Sequence, residues 1–137
     1  MTPPKAKQLP FRAIVEVLEK EKRVLFAFLY GSMASGGVGN DIDIAAYATA
    51  DTDPYRLSAD LKIELHAATG LSPDLFDVRI INPIVGHGDI FALLYLRRVL
   101  DEGKILVDKD PEALAVFLER YGRRYRECEG MMQEILA

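Results

Sequence analysis

The stretch VLFAFLY (Val24–Tyr30) constrains the fold more than any other. It is apolar almost throughout and shows no alternation, which is the pattern of a strand covered on both faces. Such a strand belongs inside a sheet with helices packed against it, and the flanking sequence supplies them. After Pro10, the segment FRAIVEVLEKEK repeats apolar residues at Phe11, Ile14, Val15 and Leu18, the spacing of an amphipathic helix with proline near its start. Downstream, DIDIAAYA (Asp41–Ala48) alternates as a second strand, and DPYRLSADLKIELHAAT reads as a helix with Leu57, Leu61 and Leu65 on one face, stopped by Gly70. LFDVRII (Leu75–Ile81) is a third strand, bounded by Asn82-Pro83. A helix from Asp89 to Leu100 ends at Gly103, Lys104–Val107 forms a short fourth strand, and a long helix runs from Pro111 onward. The expected fold class is therefore α/β: one domain over residues 1–137, with a small mixed sheet of about four strands packed with helices and a long C-terminal helix.

Composition narrows the functions available. The chain has 137 residues and a net charge of −4, which argues against docking on a long nucleic acid through a basic face. Cys128 is the one cysteine, so an internal disulfide framework is excluded and the residue reads as core or interface filler. His66 and His87 show no zinc-ligand spacing and read as structural or solvated. The N-terminus MTPPKAKQLP has no apolar run and no stretch is long enough to span a bilayer, so the expected location is cytoplasmic.

Three features carry chemistry. Asp41 and Asp43 lie two apart on a strand, hence on one face and about 6.5–7 Å from each other. Paired carboxylates suit hard divalent cations, Mg²⁺ above all. Asp77 interrupts an apolar strand, where a carboxylate is costly unless paired or bound to metal. Gly31-Ser32 closes the first strand and opens the small-residue stretch GSMASGGVGN, whose amides and serine hydroxyl could cradle a phosphate. Arg79, two residues beyond Asp77, shares its face of the strand and reads first as the local partner of a carboxylate.

Together these residues resemble the signature of the polymerase β superfamily: Gly-Ser at a strand end, Asp-x-Asp on the next strand, and a third carboxylate on a later one. Within it the chain is most similar to the minimal nucleotidyltransferases, the MNT group. Gly31, Ser32, Ala34, Gly36, Asp41, Ile42, Asp43 and Ala45 fall on that group's motif, and GKILVDKDPEALAVFLERYGRRY looks like its last strand and helix. The resemblance implies a polymerase-β-like fold. It further implies transfer of AMP from ATP, with two Mg²⁺ ions on Asp41, Asp43 and Asp77, the triphosphate on Gly31 and Ser32, and Asp77 taking the acceptor's proton. It implies, too, an antitoxin that modifies a tyrosine of a HEPN-domain toxin. Two departures mark this chain: a shortened Gly-Ser loop, and Ser35 where the group usually has arginine. They leave open a binding-only antitoxin, and a small-molecule transferase of the aminoglycoside type is the third reading. Leu114, Leu118, Tyr121, Tyr125, Cys128, Met132 and Ile135 form a heptad seam along the last helix. Its second half, with Tyr125, Cys128, Met131 and Met132, is expected to project as a docking surface for a partner or a second copy.

Overall fold

The structure, a computed structural model, describes residues 9–31, 41–87 and 89–136. Strands β1 (Val24–Tyr30), β2 (Ile42–Ala48), β3 (Phe76–Ile80) and β4 (Lys104–Asp108) form one mixed sheet in the order β3-β2-β1-β4. β1 runs antiparallel to β2 and β4, whereas β2 and β3 are parallel. That parallel pair demands a crossover, which α2 (Pro54–Thr69) provides. α2 is delimited by local chemistry: the Asp53 carboxylate accepts from the amides of Tyr55 and Arg56 at 3.0 and 3.4 Å, and Gly70 ends the helix at φ 76°.

Both faces of β1 are covered, as its unbroken apolar sequence requires. On one face Ala27 and Leu29 join Ile42, Ile44 and Val78, packed by α1 (Phe11–Lys20) through Ile14 and Leu18 and by α2 through Leu57, Leu61 and Leu65. On the other, Phe26, Phe28 and Tyr30 meet α3 (Asn82–His87), α4 (Ile90–Glu102) and α5 (Pro111–Leu136). Here Phe26 stacks on Tyr47 at 4.7 Å, and Phe117 of α5 packs edge-on against both rings at 5.4 and 5.3 Å.

Three expectations are corrected. Asp77 does not lie inside a buried strand; β3 is an edge strand whose Phe76, Val78 and Ile80 point inward while Asp77 and Arg79 are exposed. α3 appears at Asn82-Pro83, where the sequence marked only the end of a strand. The α5 seam is also differently made: Phe117 rather than Leu118 faces the sheet, and Cys128 and Met132 are buried against Leu93 of α4. These two residues are interior packing, so the projected docking surface loses its centre. Met131, Ile135 and Leu136 stay outside at 56%, 46% and 56% exposure.

Candidate active site

β1 is followed by Gly31, whose φ of +78° belongs to the left-handed region that glycine tolerates. The absence of a side chain matters as much as the dihedral, because a Cβ there would collide with Oδ2 of Asp43. Asp43 stands opposite Tyr30 in the antiparallel register and opposite Asp77 in the parallel one. Two carboxylates thus emerge side by side from adjacent strands, on the face shared with Tyr30 and Ala45, while Ile42 and Ile44 point into the opposite core. Asp41 is exposed just ahead of β2. Ser32 and Ser35 lie outside the described residues.

The charges of these groups are felt most at Asp43. Its carboxyl is raised above the usual aspartate range, first by desolvation and then by the negative charges of Asp77 and Asp41, with Arg98 opposing. Among the described residues no hydrogen bond or ion pair offsets that cost. A divalent cation would, and three carboxylates are the oxygen donor set that Mg²⁺ prefers. The residues therefore fit the ion by chemistry and field. Among the described residues, however, no three acidic, histidine or cysteine side chains are already gathered as a cage, so the arrangement is an open acidic mouth.

Two residues that sequence did not single out border this mouth. Tyr95 of α4 donates from its hydroxyl to that of Tyr30 at 3.0 Å, and their rings meet edge to face at 5.6 Å. Both phenols are raised above their usual range, chiefly by burial, and remain protonated donors. The signal for Tyr30 was its position immediately before Gly31; Tyr95 carries none, because its placement depends on how α4 seats on the sheet. Arg79 also departs from expectation: its guanidinium lies 4.3 Å from the Tyr95 ring centroid and no carboxylate among the described residues pairs with it. His66, set with Nδ1 2.8 Å from the Leu71 carbonyl oxygen, and buried Cys128 take no part in the site. The His87 side chain lies outside the described residues.

Residues 12–112 match the family model described as polymerase beta, nucleotidyltransferase. Among solved structures, a chain from the complex of a tri-AMPylated HEPN toxin of Shewanella oneidensis with its MNT antitoxin is 24% identical, with a TM-score of 0.58 over 96% of this chain and 99% of that one. A chain from a toxin–antitoxin complex with AMP-PNP is 21% identical, with a TM-score of 0.63 over 94% of this chain and 100% of that one. A chain from a variant MntA–HpeT toxin–antitoxin complex is likewise 21% identical, with a TM-score of 0.63 over 95% and 100% of the two chains. At these identities the likeness is one of fold. No curated protein sequence matches the chain.

Proposed function

Because the chain belongs to the polymerase β nucleotidyltransferase family, we propose that it transfers AMP from ATP to a tyrosine hydroxyl of a HEPN-type toxin, as the antitoxin of a cytoplasmic toxin–antitoxin pair. The observation that carries this reading is the parallel register that sets Asp43 beside Asp77, with Gly31 closed against Asp43. The solved relatives favour the partner class, since their chains sit in toxin–antitoxin complexes, one with an AMPylated HEPN toxin and one with AMP-PNP. No helix among the described residues is long and apolar enough to cross a membrane.

In this reading Asp41, Asp43 and Asp77 would hold two Mg²⁺ ions, which would supply positive charge for an in-line displacement at phosphorus. The Gly31 amide and Ser32 receive the β- and γ-phosphates. Asp77, exposed on the edge strand, is open to an incoming hydroxyl and takes its proton as the oxygen bonds to the α-phosphorus. The bond from that phosphorus to the bridging oxygen breaks, and pyrophosphate leaves. The remaining residues contribute position and fixed charge.

The test is incubation with labelled ATP, Mg²⁺ and the product of the neighbouring gene, followed by mass analysis of both proteins. The expected result is an added AMP on the partner with the parent and none with Asp77→Asn, which should still bind the partner. The lack of a cation at Ser35 favours a second reading, a binding-only antitoxin. A tight complex with no adduct, under any nucleotide or divalent metal, would select it.

A further inference from the structure

Arg79 follows Asp77 by two residues on β3, and the inward burial of Phe76, Val78 and Ile80 leaves both side chains on the exposed face. Asp43 is on the neighbouring strand. An arginine two residues from an acid on the same face of a strand could close on it. Instead its guanidinium rests on the ring of Tyr95, 4.3 Å from the centroid. That ring is fixed in turn, by the hydroxyl contact to Tyr30 at 3.0 Å and by edge-to-face packing at 83°.

Building on the nucleotidyl-transfer reading of the site, we propose that Arg79 is its phosphate-binding cation and that Tyr95, braced by Tyr30, is the positioning residue that keeps Arg79 off Asp43 and Asp77. A guanidinium stacked on a ring keeps its N–H edge available for paired phosphate oxygens, which a salt bridge to aspartate would consume. The carboxylates in turn stay open to metal. GSMASGGVGN contains neither lysine nor arginine, so a side-chain cation for the phosphates has to come from outside that stretch. Arg98 also bears on Asp43, but it is engaged with Glu102 at 3.3 Å.

The experiment uses the full chain and two calorimetric titrations, Mn²⁺ alone and Mg²⁺-ATP. Arg79→Ala should weaken Mg²⁺-ATP binding by about tenfold or more while leaving Mn²⁺ binding equal or tighter. Tyr95→Leu should weaken Mn²⁺ binding severalfold, because the released arginine falls onto the acids, and adding Arg79→Ala to it should restore that binding. Tyr95→Phe keeps the ring, so it should bind Mn²⁺ like the parent; if Tyr95→Leu does not fold, Tyr95→Met removes the ring with a longer side chain and should show the same deficit. Parent-like Mg²⁺-ATP affinity in Arg79→Ala overturns the phosphate role. A Mn²⁺ deficit in Tyr95→Leu that persists without the arginine, or a loss in Tyr95→Phe, overturns the positioning role. Asp43→Asn separates the two levels: if it binds Mg²⁺-ATP as well as the parent, the transferase reading itself falls. If it abolishes binding while Arg79→Ala has no effect, only the present inference falls.

Discussion

Gly31 and Asp43 form a contact in which the glycine cannot gain a side chain while the aspartate keeps its place. At φ +78° any L side chain is strained, and the space a Cβ would need is filled by the Asp43 carboxylate. Gly31→Ala should cost about 1–3 kcal/mol in denaturant unfolding, and Asp43→Ala should recover only the part due to collision, since the dihedral penalty remains. Asp43→Asn behaves differently. The Asp43 carboxyl is raised above its ordinary 3.8, so in the metal-free chain its ionised form opposes folding. The asparagine variant should match or slightly exceed the parent in stability at neutral pH, by about 0.5 kcal/mol or less. That difference should shrink as pH falls through the raised value toward 3.8, because the parent then protonates and loses its penalty. Thermal unfolding of both proteins across that range checks the sign; a variant clearly less stable at neutral pH contradicts it. Asp41, Asp43 and Gly31 were legible as a group because strand alternation and a glycine corner are local properties of sequence. The exposure of Asp77 was not, since an apolar run does not reveal whether its strand lies inside a sheet or at its edge.

Among the elements, α5 shows where periodicity stops being decisive. A seam read at i+3 and i+4 admits either Phe117 or Leu118, and the aromatic pair Phe26 and Tyr47 decides for Phe117. The distal half is held by Leu93, Cys128 and Met132, a small core of its own. Met132→Ala should therefore cost about 2–4 kcal/mol, whereas Met131→Ser, one residue earlier and outside, should stay within about 0.5 kcal/mol. Removal of residues 126–137 should expose Leu93 and lower the unfolding midpoint, and an unchanged midpoint would show that this core contributes nothing. α3 escaped detection for a different reason: NPIVGH is too short for a period and contains both proline and glycine. Its anchor is tertiary, the Asn82 side chain, which donates to the Ala48 carbonyl and accepts from the Ala48 amide at 2.7 Å each. Asn82→Ala should cost about 1–3 kcal/mol by leaving the end of β2 unpaired.

Across the whole molecule, the sheet order puts β1 and β2 inside and β3 and β4 at the edges. Native-state hydrogen exchange should follow that order, with amides of β1 slowest and those of β3 among the first of the sheet to exchange; equal protection throughout would mean that the sheet opens only as a unit. The parallel register of β2 and β3 has a consequence for how the molecule comes into being. Tyr30, Gly31 and Asp43 are brought together by neighbouring antiparallel strands, but Asp77 takes its place only after α2 has been laid across the sheet. A chain emerging during synthesis thus possesses the glycine corner, Asp41 and Asp43 well before Asp77. The pairing of Asp43 with Asp77 is made in one step, when the crossover closes, and not in proportion to the length of chain already made.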